Sequence, residues 1–175
     1  MIAKGNLRFN VGDWVVHFYH GIGRVKGIVE KGINGNKIIY YEVKTNNFTY
    51  WIPIKDQDSD HIKPIRSKIK FENALILMRK TPEQISQFYK ARKKQIHERW
   101  LKGDLSSRAK LLRDINGRGN RSFNEKDILE KIKQTFINEW IISDETMTRA
   151  QANIRIKTAL KESVRKSRVL KNTEK

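Results

Sequence analysis

The sequence predicts an α+β chain, a small antiparallel β-barrel followed by an all-α helical domain, on three observations. Residues 11–54 alternate apolar and polar side chains and are broken by turn-forming pairs, the signature of short strands. From Ser67 onward apolar residues recur at three and four instead, the signature of helices with one buried face. Charge divides at the same place: residues 1–64 carry nine Lys or Arg against six Asp or Glu, and residues 65–175 carry 28 against 13, within a net charge of +18 over 175 residues. The expected organisation is therefore a β-domain over 1–66, a helical domain over 67–165 and a basic, disordered tail over 166–175.

Trp14-Val15-Val16 follows a Gly12-Asp13 turn and is the first expected strand, followed by Gly23 to Val29, Ile38 to Val43 and Phe48 to Ile54. Ile33-Asn34-Gly35-Asn36 supplies an Asn-Gly pair that tolerates the positive φ of a tight hairpin turn, and Asn46-Asn47 marks another reversal. Asp56, Asp58 and Asp60 lie in an aperiodic loop before a last extended piece at Ile62 to Ile65.

In the second part, Phe71, Ala74, Leu75, Ile76 and Met78 form a short, mostly apolar helix. Thr81-Pro82-Glu83-Gln84 reads as a capping box opening a helix to about Lys102. Gly103 permits a left-handed stop, and Asp104 caps Leu105 to Ile115, before Gly117 and Gly119 interrupt. Ser122-Phe123-Asn124-Glu125 is a second capping box, and its helix carries Ile128, Leu129, Ile132, Phe136, Ile137 and Trp140. Thr148 to Gln151 opens a last helix through Ala152, Ile156, Ala159 and Leu160, with fraying expected from Val164.

Composition narrows the function. A surplus of this size concentrates polyanions, so nucleic acid is the first partner to consider. The absence of cysteine removes disulfides, thiolate catalysis and thiolate-bound zinc, and a cytoplasmic chain is expected. No apolar run approaches the roughly 18 residues that span a bilayer, so no membrane partner is expected. His17-x-x-His20 lacks further soft ligands nearby, Ser106 and Ser107 lack a base, and Gly117-Arg118-Gly119 follows no strand. No catalytic residue, metal, cofactor or small-molecule substrate is expected.

The informative cluster lies in residues 88–121, with eleven Lys or Arg against Glu98, Asp104 and Asp114. Phe88 and Tyr89 sit beside Lys90, Arg92, Lys93 and Lys94, placing rings that stack on or wedge between bases next to cations that neutralise phosphates. The bland alternative is a solvated helix face with both rings in the core. Trp14 and Trp140 are expected in the cores. In Thr49-Tyr50-Trp51-Ile52-Pro53, alternation sends Tyr50 and Ile52 to one face and Trp51 to the other, so one face is either an interface or the wall of a closed barrel.

Phe9-x-Val11-Gly12-Asp13-x-Val15-Val16, His20-Gly21-Ile22-Gly23 and Ile52-Pro53 together resemble the polymerase-interacting domain shared by CarD/CdnL regulators and the transcription-repair coupling factor. Gly103-Asp104-Leu105, Leu111-Leu112-Arg113-Asp114, Ser122-Phe123 with Glu125 and the amphipathic helix after them resemble the CarD helical tail. The likeness implies a Tudor/SH3-like β-domain that binds the RNA polymerase β-subunit, and a helical domain that touches promoter DNA at the upstream edge of the bubble. It places polymerase contacts at Lys31, Thr49, Tyr50, Trp51 and Ile52, and matches Arg92 and Lys94 to phosphate-contacting positions; with the rings and cations of residues 88–121, the expected DNA contacts are Phe88, Tyr89, Lys90, Arg92, Lys93, Lys94 and Arg113. Two departures stand out: Trp51 replaces an arginine of the family, and Tyr89 occupies the place of a tryptophan wedge, while Trp100 aligns with an inward-packing position. The rival function from composition is an RNA- or ribosome-binding protein with a small barrel and basic helices.

Overall fold

The computed structural model describes residues 7–17, 19–33, 36–59 and 61–173. The chain divides into two compact units, residues 1–65 and 66–175. Asn34 and Gly35 of the expected hairpin turn, and Asp60 of the acidic loop, lie outside the described residues.

The first unit is one antiparallel sheet of β1 (Trp14–His17), β2 (Gly21–Ile33), β3 (Asn36–Lys44), β4 (Thr49–Pro53) and β5 (Ile62–Pro64). The order β4-β3-β2-β1-β5 leaves β4 and β5 as edges, so the hydrogen-bonded ring of a closed barrel is not made. A register shift between Val25 and Gly27 lets the long β2 bend, placing Val25 on the inner face with Val43 opposite it. Phe9, Val15, Val25, Tyr41, Val43, Tyr50, Ile52 and Ile62 form its core. Gly12, at φ 101°, holds the entry turn by donating its N–H to Val25 O at 2.8 Å. Tyr41 closes the far side: its ring meets Phe9 edge-on at 5.6 Å, and its hydroxyl accepts the Arg8 N–H and donates to Gln57 Oε1. Trp14 is not a core residue; it is 38% exposed, with the Arg24 guanidinium 6.0 Å from its ring centroid.

The second unit contains α1 (Lys68–Met78), α2 (Tyr89–Leu101), α3 (Leu105–Gly117), α4 (Phe123–Ser143) and α5 (Arg149–Thr173). α1 buries Phe71, Ala74, Leu75 and Met78, the i, i+3, i+4, i+7 stripe, against the other helices of this unit. The Phe71 ring lies parallel to Trp140 at 5.7 Å, and Phe136 meets both edge-on. The Asp104 carboxylate accepts the Ser107 N–H to start α3, and Gly103 supplies the left-handed turn before it at φ 64°. The capping box at Ser122 and Glu125 forms as the sequence predicts.

Two helix limits differ from expectation. Thr81 caps nothing, because residues 81–88 run without helix and α2 begins at Tyr89. The reason is tertiary: the Glu83 N–H donates to Asp114 Oδ1 at 2.9 Å, its carboxylate accepts from Arg113 at 2.7 Å, and Ile85 is buried. A helix start needs its first amides free for a cap, and here α3 holds that of Glu83. Pro82 packs so closely on Gly117 that a Cβ there would sit 2.5 Å from the proline ring. At the other end, α5 continues helically to Thr173 where a frayed tail from 166 is expected. Its fully buried Ser163 donates to Lys80 O at 2.7 Å and fastens the helix just past the end of α1.

Candidate protein and nucleic-acid interfaces

On the β-unit, pairing of β4 with β3 sets Tyr50 opposite Val43 and Ile52 opposite Tyr41, turning both side chains into the core at 6% and 5% exposure. Trp51 points outward and is 42% exposed, and Lys31 Nζ lies 3.1 Å from its ring centroid, a cation–π contact. The structure thus joins Lys31 and Trp51 from the expected set and leaves the side chains of Tyr50 and Ile52 unavailable to a partner. Backbone groups on the outer side of the β4 edge complete the surface. Behind it, Tyr50 belongs to an aromatic cluster: its ring lies 5.4 Å from His17 and 4.6 Å from His20, and the two imidazoles stack at 4.4 Å. Burial, with the charges of His20 and His61 nearby, lowers the His17 pKa to about 4. Burial raises the Tyr50 hydroxyl to about 12, and that hydroxyl has no hydrogen-bond partner among the described residues. Stacked rings do not converge their nitrogens, and among the described residues no cluster of three metal-ligating side chains occurs.

On the helical unit, Phe88 is the N-cap of α2 and Tyr89 its first residue, at 80% and 54% exposure. The alternative that places both rings in the core is therefore wrong. Lys90, Lys93 and Lys94 are exposed beside them, with only a loose 3.9 Å pairing of Lys94 to Glu98. Arg92 and Arg113 are corrections. Arg92 turns inward at 9% exposure, pairs with Glu125 at 2.5 Å, and donates to the carbonyls of Ser86 and Gln87 at 3.2 and 2.7 Å. Arg113, at 2%, spans Asp114 and Glu83. Both guanidiniums are turned inward and held by protein oxygens, Arg92 by Glu125, Ser86 and Gln87 and Arg113 by Asp114 and Glu83.

The same division runs through the cluster. Arg99 pairs with Asp114 at 2.6 Å and Arg108 lies 3.5 Å from the fully buried Glu139, which also holds Arg66 in a bidentate grip. Lys90, Lys93, Lys94, Lys102 and Lys110 are all exposed. Arg118 and Arg121 are half-buried and donate to carbonyl oxygens of Ser86, Asn120 and Asn116, so the guanidiniums turn inward onto protein oxygens while the compact ammonium groups stay hydrated outside. The carboxylates respond: the Arg113 hydrogen bond holds Glu83 below the usual range, and at Glu125 burial is outweighed by the Ser122 amide and Arg92, so its pKa is also lowered.

One exposed ring was not singled out as a site residue from the sequence. Phe123, the first residue of α4, is 84% exposed. Its signal was present, since it is an apolar residue off the Ile128–Ile132–Phe136 stripe that buries the rest of that helix. Trp100 packs partly buried on the helical core, as the alignment implies.

Among the described residues no helix is long and apolar enough to cross a membrane. A family model for the CarD-like/TRCF RID domain matches residues 9–66, and one for the CarD C-terminal domain matches residues 73–157. The two matches meet the two units of the fold and together cover most of the sequence. The chain therefore belongs to the CarD/CdnL family of RNA polymerase-interacting transcription regulators.

Proposed function

We propose that this regulator binds the RNA polymerase β-subunit through the β4 edge and the Lys31–Trp51 pair, and contacts promoter DNA at the upstream bubble edge through the exposed start of α2. It works in the cytoplasm on the nucleoid and performs no catalysis. The observation that carries the reading is the pair of solvent-facing rings, Phe88 and Tyr89, among the exposed Lys90, Lys93 and Lys94. A ring inserted at the fork is a contact that exists only after melting. A protein that binds the open complex more tightly than the closed one shifts that equilibrium by its differential affinity. The lysines add affinity without sequence information, so polymerase selects the site. Joining two weak contacts in one chain raises the local concentration of the second once the first has formed.

Binding of the full chain to an isolated β-subunit lobe, wild type against a Lys31→Ala, Trp51→Ala double variant, tests the polymerase half. Saturable binding that the double variant loses supports it. An absence of lobe binding, with an A-form RNA duplex competing better than forked DNA, points to the RNA-binding alternative. For the DNA half, Tyr89→Ala is expected to shorten the lifetime of the open complex while leaving lobe binding unchanged.

A further inference from the structure

We infer that Phe123 is a second base-stacking residue, and that Phe88 and Phe123 together form a two-ring site for unpaired nucleotides, giving the helical unit its own preference for single-stranded over duplex DNA. The inference rests on the reading of this face as the one that meets DNA. It goes beyond that reading by assigning a ligand class and a residue on a different helix.

Among the described residues the two rings are the most exposed large apolar side chains, at 80% and 84%. Scattered singly, such residues need no explanation. These two are not scattered, because Arg92 fastens their backbones together. Its N–H donates to Phe88 O at 2.9 Å, its guanidinium donates to Gln87 O, just before Phe88, and its Nε donates to Glu125, two residues beyond Phe123. Glu125 in turn accepts the Ser122 N–H at 2.7 Å, just before Phe123. A buried ion pair that fixes the helix starts carrying two exposed rings is a rigid support for a stacking surface.

Charge selects the occupant. The residues around the rings supply exposed ammonium groups at Lys90, Lys93 and Lys126, while Glu125, Asp114 and Glu83 are occupied by arginines. An apolar protein partner gains nothing from that field, and a polyanion with flat apolar faces gains twice. Bases inside a duplex have both faces covered by their neighbours, so only an unpaired strand offers a free π-face.

The test uses full-length protein without polymerase, so it is independent of whether the β-unit binds the lobe. Fluorescence anisotropy compares a short oligothymidylate with a hairpin duplex of matched phosphate number at fixed salt. Wild type is expected to favour the single strand. Phe123→Ala, at a site too exposed to disturb the fold, is expected to weaken single-strand binding about tenfold and leave duplex binding unchanged. Phe123→Trp is expected to retain the affinity and Phe123→Leu to lose it, since leucine keeps apolar area without a π-face. Equal binding of wild type to both DNAs, an unchanged affinity in Phe123→Ala, or full affinity in Phe123→Leu would each overturn the inference.

Discussion

Replacing Arg92 by alanine separates two roles for one cation. The side chain is 11% exposed and its partner Glu125 7%. Truncation leaves a nearly buried carboxylate without its counter-charge, which costs about 3–5 kcal/mol when nothing compensates. Glu125 keeps the Ser122 N–H, which offsets part of this, while the Ser86 and Gln87 carbonyls lose donors but lie close enough to water to recover roughly half of each bond. The expected loss is about 3 kcal/mol, on the order of 10 °C in the melting of a unit this size. It is read from urea or thermal unfolding of the helical CD signal. Arg92→Met with Glu125→Leu is expected to recover part of the loss, since an apolar pair carries no orphaned charge. A phosphate-contacting arginine predicts the reverse: stability within about 0.5 kcal/mol of wild type, and a salt slope of DNA binding lower by about 1. That second pattern would refute the assignment of Arg92 to the framework.

Other perturbations follow from the same geometry. Tyr50→Phe removes a buried hydroxyl that has no partner among the described residues, so urea unfolding is expected to show unchanged or up to about 1 kcal/mol greater stability. Gly23→Ala puts a Cβ 2.5 Å from Val43 Cγ1 and 3.1 Å from Lys44 O, and a loss of about 1–3 kcal/mol is expected in the β-unit alone. His17 binds its proton near pH 4 folded and near 6.5 unfolded, so the unfolded chain holds more protons between those values. The β-unit is expected to lose stability as pH falls from 6.5 toward 4, and a His17→Asn variant to show a flatter profile in denaturant titrations across that window.

Much of the fold was legible because it is written in local terms. Alternation in β4 separated Tyr50 and Ile52 from Trp51, leaving the fold to decide which face is core, and the Ser122 box and Gly103 set their helix ends without outside help. What escaped was decided by partners distant in sequence. Thr81-Pro82-Glu83-Gln84 has every local mark of a helix start, yet Asp114 and Arg113, about thirty residues on, hold the Glu83 amide and carboxylate and draw this segment onto α3 instead. Trp14 looks like core by type, but in β1 it is Val15 that turns into the core, and Trp14 stands on the opposite face beside Arg24. In the candidate site, adjacency of rings and cations picked out Phe88, Tyr89 and the lysines, all of which the fold leaves exposed. It also drew in Arg92 and Arg113, because a count of positive charge does not distinguish a guanidinium held by a buried carboxylate from one facing water.

That sorting of cations by side-chain type makes the two jobs of this surface separately adjustable. Trading Lys90, Lys93 or Lys94 for neutral residues alters long-range attraction to a polyanion and touches no buried pair, whereas trading Arg92 or Arg99 dismantles a joint between helices and trading Arg113 unfastens residues 81–88 from α3. Drift at the exposed lysines can thus retune grip on DNA in small graded steps, with the scaffold that aims the rings held constant throughout.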